Sequence, residues 1–290
     1  MKKTLLVAFI AISVNSYSQK VTGKLNFPKN QKFEMVTETN KSATMELMGQ
    51  SMESTVNSTM TEVFDITGTD GSGASIEHKV KHLVFTANGM GNSQSFDSEK
   101  EDDRKGEMGK IMEKSLKNKY TMSVDAFGKV TSIKLDDDNP NGKQDQKTDA
   151  MAELASTQLG LKLGLPKPGD ASIFKILPDN EIGVGDSWTD SSSGNGQKRI
   201  TVYTVKSITD KEVTLDYTED ININTTQEIM GTQASMKSDD KVTGQIIIDK
   251  ATGLLKQRTA TMNTNATMEA QGMSIPSTGK TTITVTLKPA

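Results

Sequence analysis

The sequence contains no cysteine among its 290 residues. The absence of thiols excludes disulfide bonds, thiolate nucleophiles and cysteine-based zinc sites. It also leads us to expect no lipoprotein-type anchor, because such an anchor requires a cysteine directly after the export signal. The fold must therefore be stabilised by its packed core alone.

Aromatic residues are also scarce, at 4% of the chain, and the formal net charge is −3 with no basic stripe. Nucleic-acid binding requires clustered lysine and arginine side chains that neutralise phosphates. Attraction to anionic lipid surfaces requires the same kind of cluster. We therefore expect no nucleic-acid partner.

The first residues have the pattern of an export signal. Lys2 and Lys3 precede the apolar run 5–12, and small residues at Ser16 and Ser18 suit cleavage before Gln19. The run is shorter than the roughly 20 apolar residues that span a bilayer. The sequence predicts a signal peptide over 1–18, and a periplasmic or secreted protein that does not span the membrane.

Alternation of apolar and polar residues is the main structural signal. It runs through 213–223 and 282–287, and glycine-containing turns separate such stretches. Most of these stretches exceed the usual strand length of about 5–6 residues, while only 33% of the residues are hydrophobic. This combination predicts a mainly β (α+β) fold, with long antiparallel strands in a curved sheet or half-barrel.

A strand–turn–strand unit occurs twice, at 120–133 and 244–256. In each copy an apolar strand ends in aspartate, turns, reaches glycine and restarts as a second strand. The order of parts predicts two pseudo-repeated β halves, 19–135 and 189–290, separated by an acidic loop, helix and linker over 136–188. Convergent hairpin chemistry remains an alternative explanation of the repeat, and a single domain over 19–290 stays open.

Two segments have helical rather than strand-like spacing, 107–117 and 148–163. We expect both helices to lie against the concave side of the sheet. The charged run 98–105 before the first of them is interpreted as a solvated loop that caps this helix.

The chain has only two histidines, His78 and His82. Because the local alternation predicts a strand, four residues separate their Cα atoms by about 13 Å, which one metal ion cannot bridge. The pattern places both histidines on one face of that strand, together with Ile76, Val80 and Val84.

An acidic loop is the best candidate metal site. It matches several positions of an EF-hand-like calcium loop, but Thr148 stands where a bidentate glutamate is wanted and Pro140 constrains the loop. A solvated acidic turn is the competing interpretation. The candidate calcium ligands are Asp137, Asn139, Asn141 and Asp145. No other cofactor is predicted, and no catalytic residue can be chosen from the sequence.

Methionine is unusually frequent, with 16 residues. Its flexible thioether suits an adaptable apolar lining for a hydrophobic ligand. Copper(I) binding and ordinary filling of gaps in the core are the alternatives. The candidate ligand-lining residues are Met45, Met48, Met52, Met108, Met112, Met230, Met268 and Met273.

The junction from Leu177-Pro178 to Val184-Gly-Asp-Ser-Trp188 and the hairpin turn at 249–253 resemble a family of exported proteins of unknown function. The family is common in Bacteroidota, the resemblance covers most of the mature chain, and it implies no activity. The expected architecture is similar to that of half-barrel periplasmic lipoprotein carriers, at the level of architecture alone.

We expect non-enzymatic binding of a hydrophobic small molecule or lipid in the curved sheet. The alternatives are an envelope structural or interaction protein and a carboxylate-based hydrolase. A cavity lined by methionines and aliphatic residues favours ligand binding, and a polar cleft with converging carboxylates favours an enzyme. A filled core with an exposed apolar patch favours an interaction protein.

Overall fold

A computed structural model describes residues 19–89, 91–117, 119–136, 165–194, 196–229, 232–270 and 272–290. The helices are α1 (Glu101–Lys105) and α2 (Glu107–Leu116). The strands are β1 (Lys32–Leu47), β2 (Gln50–Thr69), β3 (Gly73–Gly89), β4 (Asn92–Asp97), β5 (Lys119–Asp125), β6 (Val130–Leu135), β7 (Ser187–Gly194), β8 (Gln197–Ile208), β9 (Glu212–Ile229), β10 (Thr232–Asp249), β11 (Leu255–Ala270) and β12 (Met273–Pro289).

All twelve strands belong to one antiparallel sheet, in the order β6-β5-β3-β2-β1-β12-β11-β10-β9-β8-β7, with β4 paired to β3. The chain runs outward from β1 to β6, enters again at the opposite edge with β7, and returns to β12 beside β1. Within the described residues no ladder joins β6 to β7, so the sheet is unclosed. Its curvature is evident from the core, where Val130 of β6 and Val205 of β8 share one cluster. The predicted curved sheet of long strands is confirmed.

The sheet has a core-facing inner face and an outer face. On β9 the side chains of Val213, Leu215 and Tyr217 are at most 2% exposed. They alternate with outward-facing residues such as Asp216 and Thr218, which are exposed. The predicted alternation is therefore confirmed, and directly paired residues on neighbouring strands extend the same two faces across the sheet.

Both predicted hairpins are present, as β5–β6 and β10–β11. In the first turn the carboxylate of Asp125 accepts the backbone N–H of Phe127 at 2.9 Å. In the second turn the carboxylate of Asp249 accepts the backbone N–H of Thr252, also at 2.9 Å. The aspartate that ends each strand therefore fixes its turn by the same side-chain-to-backbone bond.

The N-terminal segment passes between these two turns. The N–H of Leu25 donates to Ala126 O at 2.7 Å, and the next N–H along the chain donates to Thr252 O at 2.8 Å. Gly128 and Gly253 have φ values of 78° and 72°. A methyl group at Gly128 or Gly253 would lie 2.8 or 3.1 Å from a methyl carbon of Leu25. The repeated turns therefore hold one shared segment from both sides.

The helix predicted at 107–117 is confirmed as α2. Its Met112 is fully buried against Leu83, Phe85 and Phe96. Since Leu83 pairs with the inner-face residue Met60, α2 lies on the concave side, as expected. The helix predicted over 148–163 lies outside the described residues.

The acidic run before α2 was expected to be a loop, and this expectation is wrong over 101–105, which forms α1. Three acids occupy the first turn of α1, and Arg104 and Lys105 occupy its last turn. Acidic residues near the N-terminus of a helix and basic residues near its C-terminus stabilise the helix, because they interact favourably with its dipole. That distribution explains why a highly charged run is helical here.

The two histidines lie on opposite faces of β3, and the prediction of a shared face is wrong. The pairing register of β2 and β3 shifts between the partners of Val80 and His82, so Lys81 is an extra residue that reverses the alternation. His78 lies in the core and contacts Glu62 at 2.8 Å. His82 contacts Asp97 at 2.9 Å on the other side.

Gly244 is required on the inner face of β10. A methyl group there would lie 2.5 Å from Tyr217 Cε1 and 2.2 Å from Thr259 O. We predict that Gly244→Ala lowers the free energy of unfolding by about 1–3 kcal/mol, because overpacking forces the neighbours to move. Urea denaturation measures this change. Gly194→Ala is the control, since a methyl group at that strand glycine meets no atom within 4 Å; equal losses for the two variants would contradict the prediction.

Candidate functional site

Towards the hairpin tips, beyond the hydrophobic core, the inner face becomes polar and charged. Five of its polar side chains in this region are between 4% and 7% exposed. Buried polar groups are costly unless they find partners, so such a cluster is a candidate site. We call this region the inner polar belt, and it comprises Lys41, Arg199, Thr201, Glu219, Ser238, Asp240 and Thr281.

Glu219 is the best-satisfied carboxylate of the inner polar belt. Its Oε1 accepts a bond from Arg199 Nη1 at 2.8 Å. The same oxygen accepts a bond from the Thr201 hydroxyl at 3.1 Å. A charge-assisted bond of this kind compensates for the loss of hydration of a buried carboxylate. Glu219 is therefore a fixed structural element rather than a free reactive group.

Lys41 is the least-satisfied charge of the belt. Burial lowers the pKa of its ammonium below 10.5, and the negative charge of Asp240 partly opposes this shift. Asp240 is itself engaged by the Ser238 hydroxyl at 2.7 Å. Among the described residues, no carboxylate lies within 4.0 Å of Lys41 Nζ. A half-buried ammonium without a close counter-ion is suited to binding an anion.

Several of the predicted methionines lie together on the same inner face, closer to the hairpin tips. Met45 of β1 is directly paired with Met52 of β2. Met268 of β11 is directly paired with Met236 of β10 and with Ile275 of β12. These five residues, which we call the methionine strip, cross five adjacent strands. Ile275 is 8% exposed and Met236 is 41% exposed, so the strip is partly open to solvent.

The other predicted lining residues lie elsewhere. Met48 is 85% exposed at the β1–β2 turn, and Met273 is 38% exposed at the start of β12. Met108 and Met112 belong to α2 and contact a separate hydrophobic cluster. Met230 is outside the described residues. The structure therefore brings together only Met45, Met52 and Met268 of the predicted set.

The base of the inner polar belt is lined by stacked aromatic rings. The guanidinium of Arg258 lies 4.7 Å from the ring centre of Tyr217, and its Nε donates to the Tyr217 hydroxyl at 2.9 Å. The rings of Trp188 and Tyr203 are stacked with centres 5.0 Å apart. Burial raises the pKa of Tyr203 and of Tyr217, which keeps both hydroxyls protonated. These groups separate the belt from the hydrophobic core below.

Sequence reasoning did not identify the charged residues of the belt. A signal for one of them was present, because Glu219 occupies an inward position of the alternation between Tyr217 and Ile221. A charged residue at an inward position of an otherwise apolar face is informative. No local signal could have linked Lys41 to Asp240, because β11 and β12 lie between their strands.

Neither metal chelation nor helical membrane insertion is supported by the part of the chain that the structure describes. Within that part, no three histidine, aspartate or glutamate side chains are close enough to hold a metal ion. No helix there is long and apolar enough to cross a bilayer. The candidate calcium ligands Asp137, Asn139, Asn141 and Asp145 lie outside the described residues, and calcium binding stays a prediction.

Comparison with known proteins gives a family match without an activity. Residues 70–255 match a family of unknown function (DUF6263). No curated protein matches the chain.

Solved structures show only remote similarity. OpdQ of Pseudomonas aeruginosa is 8% identical with a TM-score of 0.25, over 89% of this chain and 99% of OpdQ. The β domain of the Bordetella autotransporter BrkA is 5% identical with a TM-score of 0.26, over 89% and 99%. An outer membrane channel from Pseudomonas putida F1 is 7% identical with a TM-score of 0.22, over 91% and 98%. Scores this low carry no argument about this chain.

Proposed function

We propose that this chain, which belongs to the family of unknown function DUF6263, binds an amphiphilic molecule on the inner face of its sheet without chemically converting it. The anionic head of the ligand contacts Lys41, and its apolar tail lies along the methionine strip. The observation that carries the proposal is the order of inward-facing residues on β1, which are Lys41, Ala43, Met45 and Leu47. At about 3.4 Å per residue, these positions span roughly 20 Å.

The methionine strip suits a flexible apolar tail. Thioether side chains are unbranched and polarisable, so they adapt to tails of different length and shape. Met45 and Met52 are both half-buried on the inner face, and neither belongs to the two buried hydrophobic clusters. An apolar strip that is not covered by the rest of the described chain favours an external apolar partner.

The position of Lys41 suits an anionic head group. Burial disfavours the charged ammonium, as the direction of its pKa shift shows. A carboxylate or phosphate placed beside Lys41 would supply the close opposite charge that Asp240 does not provide. Hydrogen bonds between two ionised groups are about twice as strong as those between neutral groups. The ligand would therefore satisfy a group that the protein leaves poorly satisfied.

We also place the protein in the periplasm or outside the cell. The pattern of residues 1–18 supports export, and these residues lie outside the described part of the chain. The architecture expected from the sequence is similar to that of half-barrel periplasmic lipoprotein carriers, and binding of a hydrophobic ligand on a curved sheet agrees with that similarity. Calcium, if bound at 137–145, is an additional element that this proposal does not require.

Replacing Lys41 by methionine tests the head-group contact. We predict that Lys41→Met weakens binding of 11-(dansylamino)undecanoic acid by about 10- to 100-fold, since bonds to charged groups contribute about 1.5–3 kcal/mol. The same variant raises the free energy of unfolding by about 0.5–2 kcal/mol, because it removes a poorly compensated buried charge. Fluorescence titration and urea denaturation measure the two effects. Lys280→Met is the matched control, since Lys280 is exposed on the outer face of the neighbouring strand.

The pH dependence of probe binding follows from the direction in which the pKa of Lys41 is shifted. Because the pKa of Lys41 is lowered from 10.5, affinity for the anionic probe falls as pH rises through a midpoint below that value. The Lys41→Arg variant should retain its affinity for the anionic probe at higher pH than the unmodified protein, because the guanidinium group stays charged there. In the absence of ligand, the contribution of Lys41 to the free energy of unfolding increases over the same rise in pH, because the buried ammonium loses its unfavourable charge. Equal affinities of Lys41→Met and Lys280→Met would refute the head-group assignment.

The tail contact has its own control pair. Met45→Ser should weaken probe binding, whereas Met48→Ser should not, because Met48 is 85% exposed at the turn. Equal effects of these two substitutions would contradict the methionine strip as the binding surface. Hydrolysis of an ester of the probe would instead favour the carboxylate-based hydrolase.

A further inference from the structure

A buried hydroxyl group on the inner face of β1 has no hydrogen-bond partner. Thr39 is 1% exposed, and its Oγ1 atom is without a partner among the described residues. Nearly all buried polar side-chain atoms in proteins have a partner, so an exception requires an explanation. An unsatisfied buried group also lowers stability, and a ligand that accepts its hydrogen bond would reverse that loss.

This hydroxyl group lies next to the head-group contact of the proposed function. Thr39 and Lys41 are two residues apart on β1, so their side chains lie on the same face of the sheet. The direct partner of Thr39 on β2 is Ser58, which alternates with the inner-face residue Met60. Positions two residues apart on a strand are separated by about 7 Å, and the flexible stem of a lysine lets its ammonium group approach the neighbouring position. Both groups can therefore donate to one ligand head.

Thr39 lies on the opposite side of Lys41 from the methionine strip. From the core towards the hairpin tip, the inward positions of β1 are Thr39, Lys41, Ala43 and Met45. A tail that lies on the strip therefore directs its head towards Lys41, and Thr39 is the next inward residue. Because Thr39 is buried, the head reaches it once neighbouring side chains change rotamer, which is common when a partner binds.

The charges in this region favour a head group with one negative charge. Arg199, the other cation of the inner polar belt, is bound to Glu219 at 2.8 Å. Asp240 is close enough to Lys41 for its negative charge to oppose the effect of burial on the lysine pKa. A phosphate monoester carries a charge of about −1.5 to −2 at neutral pH. Its additional negative charge would be repelled by Asp240 without a cation to compensate it.

We infer that the amphiphile is a long-chain carboxylic acid, whose carboxylate accepts one hydrogen bond from the Thr39 hydroxyl and one from the Lys41 ammonium group. The inference rests on the proposed function, and it specifies the head group and adds Thr39 as a residue that selects it. Each oxygen of the carboxylate then has a donor. A tetrahedral phosphate at the same position would have a further oxygen without one. Bonds to an ionised acceptor are the stronger kind, so both contacts contribute to affinity.

A competition experiment between two head groups tests the choice of a carboxylate. Bound 11-(dansylamino)undecanoic acid is displaced by dodecanoate or by dodecyl phosphate, which have similar tails and different heads. Both are titrated at neutral pH and constant ionic strength, below the concentrations at which they form micelles. We expect dodecanoate to displace the probe at a concentration lower by about tenfold or more, because the phosphate brings an uncompensated charge.

The outcomes of this competition separate the inference from the proposed function. Displacement at equal concentrations, or a preference for dodecyl phosphate, would overturn the carboxylate assignment and leave amphiphile binding intact. If neither compound displaces the probe, amphiphile binding on the inner face is itself refuted, and the inference fails with it.

Replacing Thr39 by valine tests the hydroxyl contact, because valine keeps the branched shape of the side chain. We expect Thr39→Val to weaken dodecanoate binding by about tenfold, as the loss of one hydrogen bond to a charged group does. Without ligand, the same variant should unfold at a higher urea concentration, because an unsatisfied buried group is removed. Thr39→Ser keeps the hydroxyl and should recover most of the lost affinity.

The matched control for this substitution is Thr282→Val. Thr282 is exposed on β12, where it pairs with the outward-facing residue Asn40, so this variant should bind dodecanoate as the unmodified protein does. Unchanged affinity in Thr39→Val, or equal losses in Thr39→Val and Thr282→Val, would overturn the role of Thr39.

Discussion

Replacing Phe174 by alanine should lower the free energy of unfolding by about 3–5 kcal/mol, the range for large-to-small aromatic substitutions in a core. Phe174 is 1% exposed. Its ring contacts Phe27 edge-on at 5.5 Å between centres and Phe64 at 5.4 Å. It therefore joins the N-terminal segment to β2, and its removal leaves a cavity between them. Urea denaturation followed by the fluorescence of the single tryptophan measures the loss.

The adjacent Ile173 provides the control for this substitution. Its side chain is 46% exposed, so Ile173→Ala should change stability by less than about 0.5 kcal/mol, as most surface substitutions do. Comparable losses at positions 173 and 174 would show that residues 171–182 do not pack in the core as described.

Replacing Leu25 by alanine should cost about 2–5 kcal/mol, with a consequence beyond that loss. Leu25 is 7% exposed and lies between the repeated hairpin turns. Because it lies against Gly128 in the β5–β6 turn and against Gly253 in the β10–β11 turn, the substitution should weaken both turns together. Hydrogen exchange should therefore speed up at both hairpins to a similar extent.

The neighbouring Lys24 is exposed, and Lys24→Ala should leave exchange at both hairpins unchanged. Faster exchange at only one hairpin in Leu25→Ala would contradict the shared role of this residue. So would the persistence of full stability in that variant.

Local turn chemistry explains why much of the fold could be predicted from the sequence. Asp125 and Asp249 each bond backbone N–H groups two or three residues further on, so the residues that determine these turns are adjacent in the chain. Strand alternation is equally local, and it identified the buried face of β9 correctly. The spacing of Met108 and Met112 likewise identified α2 from within one short segment.

Features that depend on distant residues could not be predicted in this way. The bulge at Lys81 is defined by pairing with β2 and by the change of partner from β5 to β4. Residues 177–188 resemble a linker in sequence, yet Leu177 and Ile182 are buried in the core. Their apolar positions have no period, so only the curvature of the sheet around them explains their burial.

In the candidate site, too, features that depend on local sequence or composition could be predicted, and features that depend on distant residues could not. The methionine strip was anticipated in part because methionine frequency is a property of composition. The inner polar belt was not, since Lys41 and Asp240 are brought together by the curvature of β1, β12, β11 and β10.

The pairing of β1 with β12 determines when the folding of the sheet can be completed. Phe33 pairs with Pro289, so the centre of the sheet joins the first strand to the last. During synthesis β1 keeps one unpaired edge until the last strand has emerged, and such edges are open to pairing with other chains. Contacts between residues so far apart in sequence also form slowly. Final assembly of the sheet is therefore a late event in folding, because it requires β12.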